Sequence, residues 1–195
     1  MKWQIFLIMV LLIPSVSAEV VINKILYDPI KTETGGEAIE IINLGEQSTN
    51  IEKWVIKTTS SETDATLPKH ILMPGQTFLV ADEGWNESKD NKEWRNADYE
   101  EKISLKNTNG GVALKDSDGN IADSISWGAE NFGEKVNGVK EGKCLIREGN
   151  TFVEGECDFF EGNIVKIEAE IENDFEVWLT NESFEVHPGE KVIIN

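Results

Sequence analysis

Gly110-Gly-Val-Ala-Leu-Lys-Asp-Ser-Asp-Gly-Asn-Ile-Ala-Asp-Ser-Ile-Ser-Trp127 decides how the rest of the chain is read. Val112 and Leu114 alternate with Ala113 and Lys115, and an extended pattern resumes through Ile121, Ile125 and Trp127 after Asp118-Gly119. An Asp-Gly pair between two such runs signals a β-hairpin, because glycine accepts the positive φ that the turn demands. The other extended segments can then pack on this hairpin or continue its sheet. Expected strands are Val20–Tyr27, Ala38–Leu44, Ile51–Thr58, Thr77–Ala81 and Ile103–Lys106, with shorter apolar pieces at Leu67 and Ile71-Leu72. Pro74-Gly75 fits a turn in which proline presets φ and glycine takes the left-handed place. Many short strands at this spacing, with no sustained 3.6-residue stripe, predict an all-β sandwich or barrel.

The first eighteen residues read differently. Lys2, the apolar run Ile5–Ile13, Pro14 and Val16-Ser17-Ala18 have the form of a signal peptide, with a charged start, a hydrophobic centre and a small-residue cleavage site. The run is shorter than the roughly twenty apolar residues a membrane span needs. No cysteine follows the cleavage site to carry a lipid, so the mature chain is expected to begin near Glu19, to be exported to the cell surface or beyond, and to keep no membrane span.

The full chain of 195 residues carries 36 acidic and 18 basic residues, a net charge of −18. Loss of residues 1–18 removes one lysine and no acid, taking the charge from −18 to −19. Such a field repels phosphate backbones and anionic membranes, so nucleic acid is disfavoured as a partner and proteins or cell-envelope components are favoured. The two cysteines, Cys144 and Cys157, make an even count in an exported chain, and a single disulfide is the natural assignment. Neither belongs to a Cys-x-x-Cys pair, which disfavours metal ligation.

Residues 82–102 form one long connection with eight acidic residues and the aromatics Trp85, Trp94 and Tyr99. Connections of this length are functional or packed on themselves. One reading is a recognition loop presenting the aromatics to a partner. The other is a lid, with a helical turn near Lys89–Arg95, whose aromatics cover the end of the sandwich.

A resemblance now emerges. Val21-Ile22-Asn23-Lys24-Ile25-Leu26-Tyr27-Asp28-Pro29, the Gly-Gly-Glu37-Ala-Ile-Glu40-Ile-Ile-Asn43 run, Trp54-Val55-Ile56, Leu72-Met73-Pro74-Gly75 with Phe78–Ala81, and Leu105 through Trp127-Gly128 follow one another in the order of a lamin-tail domain. Cys144-Leu145-Ile146-Arg147 and Asp158-Phe159 are similar to the family's closing Ser-Leu-x-Arg and Asp-Phe segments. The resemblance spans about residues 20–161 and implies an immunoglobulin-like β-sandwich, found in nuclear lamins and in exported prokaryotic proteins. It supplies no catalytic constellation. Cysteine at the family's serine place implies that a disulfide has been added to a segment usually held by packing. Chromatin binding, which uses basic surface in the nuclear members, is not carried over.

From Gly162 the pattern changes. Val165, Ile167, Ala169 and Ile171 alternate with Lys166, Glu168, Glu170 and Glu172, Asn173-Asp174 suits a turn, and apolar runs recur to Ile194. Residues 162–195 thus read as a small C-terminal β meander that docks on the sandwich, pairs with another copy, or opens a further domain.

Chemistry has few candidates. His70 and His187 are far apart in sequence, and no nucleophile elbow, phosphate loop or dinucleotide fingerprint is present, so the chain reads as non-enzymatic. An acid-catalysed hydrolase would need a carboxylate with a raised pKa in a dry cleft. Asp116, Asp118 and Asn120 project alternate oxygens as a Ca²⁺ loop does, and Asp28, Glu33 and Glu37 form a second such group. Either would bind Ca²⁺ only at the millimolar level of extracellular modules, and a plain hairpin turn explains the first as well. Asn86-Glu-Ser88 and Asn181-Glu-Ser183 match the glycosylation pattern. The expected function is an exported, non-catalytic interaction or structural module. The alternative is an accessory domain, Ca²⁺-stabilised, that partners an extracellular hydrolase or nuclease.

Overall fold

The computed structural model describes residues 20–160 and, for backbone pairing alone, 178–179 and 182–183. The expected signal peptide and most of the expected C-terminal meander lie outside the described residues.

The described chain is built from strands β1 (Val20–Leu26), β2 (Ala38–Asn43), β3 (Thr49–Asn50), β4 (Val55–Thr58), β5 (Ala65–Thr66), β6 (Ile71–Leu72) and β7 (Thr77–Ala81), then one short helix, α1 (Trp85–Ser88). Strands β8 (Tyr99–Glu100), β9 (Gly110–Lys115), β10 (Ile121–Trp127), β11 (Glu134–Val136), β12 (Lys143–Glu148) and β13 (Thr151–Glu156) complete the sandwich, and β14 (Trp178–Leu179) pairs with β15 (Glu182–Ser183). One sheet runs β13-β12-β1-β2-β7-β8 and the other β11-β10-β9-β4-β5. The fold is the all-β, immunoglobulin-like sandwich that the sequence predicts.

The quoted hairpin is the spine of the smaller sheet. Gly119 sits at φ 86, and the turn is closed by Asp116, which accepts the N–H groups of Asp118 (2.9 Å) and Asn120 (2.8 Å). At its other end Gly110 is required by space: a Cβ there would lie 2.5 Å from the Trp127 ring. Trp127 stacks on Tyr27 at 4.4 Å between centroids, 9° from parallel, and donates its indole N–H to Lys106 O at 2.7 Å. The two sheets are thereby joined where β1 and β10 end.

A second tie binds the sheets near the starts of β1 and β10. β1 is bulged between Ile22 and Lys24, and β10 between Ile121 and Asp123. A bulge leaves backbone groups without ladder partners. Here Ile22 N–H donates to Asp123 at 2.8 Å, and Ile22 O accepts from Arg147 Nε at 2.6 Å. Arg147 also pairs with Asp123 and lies 4.4 Å over the Phe152 ring. The arginine of the Cys-Leu-Ile-Arg segment thus clamps two bulges on facing sheets.

The main core lies between the sheets and includes Ile22, Ile25, Ile39, Ile41, Val112, Leu114 and Ile125. The six-stranded sheet is also covered on its outer face. Leu26, Ala38, Leu79 and Ala81 point that way and pack with Trp85, Trp94, Phe159 and the Cys144–Cys157 disulfide. Period-2 alternation therefore buries both sets of side chains on β1, β2 and β7.

Several boundaries differ from those expected. The third strand starts at Val55 rather than Ile51, because Lys53 takes φ 64 and turns the chain there. Residues 103–106 join no ladder. The helical turn falls at Trp85–Ser88 instead of Lys89–Arg95. Beyond the sandwich, Trp178 pairs with Ser183 and Leu179 with Glu182, and the expected turn at Asn173-Asp174 lies outside the described residues.

Truncation at the clamp is expected to be costly, since it strands the Asp123 carboxylate in a half-buried site. Arg147→Met should lower the unfolding free energy by about 2–4 kcal/mol, measured by urea denaturation, and a change below about 0.5 kcal/mol would refute the clamp. Replacing both cysteines by serine should cost about 3 kcal/mol, with a red shift of tryptophan emission as the outer core loosens. An unmoved denaturation midpoint would show that packing alone holds that core.

Candidate functional site

The long connection between β7 and β8 is explained by topology. These strands are parallel neighbours, with Val80 opposite Tyr99. Parallel neighbours need a crossover of about a dozen residues, and residues 82–98 supply it across the outer face of the sheet.

Both tryptophans of this connection are core residues. Trp85 is 0% exposed and Trp94 6%, their rings stacked at 5.8 Å, with Phe159 edge-on to both at 5.6 and 5.3 Å. The indole N–H of Trp85 donates to Arg95 O at 3.0 Å, and the buried Lys89 ammonium donates to Trp94 O and to Asn96 Oδ1 (3.2 Å). The recognition-loop reading of Trp85 and Trp94 is therefore corrected: the pair covers the sheet and offers no ring to a partner. Tyr99 is half-buried against the main core and donates to Glu101 at 2.9 Å.

The crossover also carries charged ties. Buried Glu40 accepts from Asn23 Nδ2 at 2.6 Å and lies 3.6 Å from both Lys24 and Arg95. Lys24 reaches on to Asp158 at 2.6 Å, and Arg95 N–H bonds Phe159 O at 2.6 Å. Asp90 accepts the N–H groups of Ile30 and Lys31, each at 2.8 Å, linking the crossover to the first loop.

Where the crossover meets that loop there is an open cleft of about 530 Å³, lined by Glu33, Glu37, Asp82, Glu83, Lys102, Leu105 and their neighbours. Residues 102–105 and 107 line it, and beyond Glu101, whose N–H donates to Ala81 O of β7 at 3.1 Å, this stretch joins no strand. Instead, three successive N–H groups each find a carboxylate. Ile103 donates to Asp82 (3.2 Å), Ser104 to Asp64 (3.3 Å) and Leu105 to Glu37 (3.0 Å). Asp82 also accepts from Gly35 N–H at 2.5 Å. The side chain of Asn107 donates to Asp28 (2.7 Å) and Glu33 (2.8 Å).

Glu37 is 4% exposed. Burial pushes its carboxyl from the ordinary 4.5 up to about 8; the Leu105 N–H opposes the rise, and Asp82, Glu33 and Asp64 add to it. The raised carboxyl that acid chemistry would require is therefore present in this cleft. However, one of its oxygens is committed to the backbone, and so are both oxygens of its neighbour Asp82.

The other sequence candidates fall elsewhere. Asp116, Asp118 and Asn120 form the hairpin turn, and the Asp116 carboxylate is engaged by Asp118 and Asn120, which hold its pKa down. Among the described residues no group of three or more His, Cys, Asp or Glu side chains is arranged to hold a metal ion. Asp28, Glu33 and Glu37 do converge, and Asn107 and Leu105 are the groups between them. Asn86 is exposed on α1, while Asn181 lies outside the described residues. His70 packs against Phe78 at 4.8 Å with its Nε2 unpartnered among the described residues. Sequence reading singled out Glu37 but missed Asp64 and Asp82, because only the fold brings three separate loops together under residues 103–105.

A family model described as Lamin Tail Domain matches residues 14–129, more than half of the chain. A comparison with curated proteins finds no match. The family match ends before β12, yet β12 is the neighbour of β1 in the larger sheet, so the sandwich continues past it.

The native state holds a proton on Glu37 that the unfolded chain has lost at neutral pH, so the stability Glu37 contributes is full in the acidic carboxyl range and falls as pH rises towards about 8. Glu37→Gln, which keeps the shape and the acceptor, should flatten that fall when urea midpoints are compared between about pH 5 and pH 8.5. An equal slope in both proteins would remove Glu37 as its source.

Proposed function

The chain belongs to the lamin tail domain family, and on that premise we propose that it is an exported, non-catalytic module with an interaction or structural role at the cell surface or outside the cell. Domains of this family are immunoglobulin-like and generally non-catalytic. The observation that carries the reading is the Cys144–Cys157 disulfide, sealed in the outer core against Trp85, Trp94 and Phe159. Disulfides form and persist in oxidising compartments and are rare where thiols are kept reduced. The leader-like residues 1–18 supply a route there. Carboxylates in the cleft act as acceptors for backbone N–H groups, which supports a structural role for Glu37 over an acid catalyst. Partners are protein or envelope components that meet the acidic exterior.

Expression of the full chain in a secreting host tests the reading. The expected product begins near Glu19, leaves the cytoplasm and shows no free thiol by intact-mass analysis with alkylation. Full-length protein retained in the cytoplasm with two alkylated cysteines would overturn it.

A further inference from the structure

The segment 101–107 differs from every strand around it in how it is held. Its N–H groups at 103, 104 and 105 go to Asp82, Asp64 and Glu37, which stand on three different parts of the fold: the end of β7, the loop before β5 and the residue before β2. Asn107 adds two more carboxylates, Asp28 beyond β1 and Glu33 in the first loop. The side chains of Ile103 and Leu105 fill the main core at 3% and 6% exposure, while Lys102, Ser104 and Lys106 face solvent. Five acidic residues thus converge on one unladdered stretch of chain that plugs the core beside an open cleft.

We propose that residues 101–107 are a pH-responsive strap, closed while the Glu37 carboxyl beneath it is protonated and released as that proton is lost, which bares Ile103 and Leu105.

The geometry sets the direction. Facing Glu37 are Asp82 just after β7, Asp64 from the β4–β5 connection and Glu33 from the first loop, with Glu83 and Lys102 at the cleft wall and Asp28 held off by Asn107. A negative charge on buried Glu37, close to these acids, is unfavourable unless water reaches it. Water reaches Glu37 when the strap lifts. The closed form therefore holds the proton up to about pH 8, whereas an open, solvated Glu37 loses it in the ordinary carboxyl range. Closure is strongest in acid, weakens by up to tenfold per pH unit between those limits, and levels off above the upper one. Release exposes apolar side chains among acids, so the strap couples external pH to the surface the domain presents.

Amide hydrogen exchange by NMR on the full mature chain tests this. Protection factors at Ile103, Ser104 and Leu105, corrected for intrinsic rates at each pH, should fall by close to a hundredfold between about pH 5.5 and 7.5. These amides should exchange faster than Ile41 in β2 and be insensitive to dilute denaturant, because the opening is local. Constant protection, or protection and denaturant sensitivity equal to those of Ile41, would overturn the proposal. Glu37→Gln should hold the strap amides at pH-independent protection, and a wild-type fall in that variant would also overturn it. Carbon-13 titration of the Glu37 carboxyl in the unmodified protein needs no variant: a transition between about pH 7 and 9 is expected, and one below about 5.5 refutes the strap.

Discussion

Side-chain carboxylates accept backbone N–H groups that no strand can satisfy, and most of the irregular structure depends on this substitution. A buried N–H without an acceptor costs about as much as a lost hydrogen bond, and this sandwich has many places where the ladder is interrupted. Asp123 serves Ile22 at the β1 bulge, Asp98 serves Leu79, Asp90 serves Ile30 and Lys31, and Glu100 serves Gly84. Asp116 does the same within the hairpin turn. The strong acidic bias of the chain is thus partly structural: a fraction of its negative charge is wired into the backbone and does not simply coat the surface.

That habit explains how a sheet can be buried on both faces by irregular chain. The outer face of the six-stranded sheet is covered by a crossover with a single turn of helix and by residues 157–160, neither of which offers regular hydrogen bonding. Trp85, Trp94 and Phe159 supply the apolar area, and the disulfide fastens the second cover to β12. Lys24, Arg95 and Glu40 place charges over β1 and β2 on the same face, where Asn23 and Asp158 complete their bonding. The Cys144–Cys157 bond therefore has a mechanical meaning: it fastens residues 157–160, which no ladder holds, to β12.

Much of this was legible beforehand, for identifiable reasons. Asp118-Gly119 and the alternation around it gave the hairpin, and Pro74-Gly75 gave its turn with Gly75 at φ 73. Those are local rules, and local rules survive folding. Period-2 patterning misled at residues 103–106, where Ile103 and Leu105 alternate as in a strand but their backbone is taken up by carboxylates from elsewhere. Lys53 hid a break inside an apolar run, because a lysine at positive φ has no sequence signature. Trp85 and Trp94 carried two meanings that only tertiary contact separates. The cleft was least visible of all: Glu37, Asp64 and Asp82 are far apart in the chain and look like ordinary surface acids.

The same arrangement has a thermodynamic consequence that a ladder of backbone bonds would not. An amide-to-carbonyl bond is indifferent to pH over the range in which proteins live, whereas an amide-to-carboxylate bond is not. Isolated, exposed carboxylates such as Asp116 are held in the charged form by the groups that donate to them, here the Asn120 side chain first and then backbone N–H groups. Crowded ones cannot all be charged, and Glu37 is the member that gives way. Wherever acids replace strand partners in clusters instead of singly, one of them must become a titrating element of the fold. One such cluster lies at the cleft, under a segment that plugs the core without joining a sheet. The pH sensitivity of this domain is therefore expected to reside in its loops while both sheets stay intact.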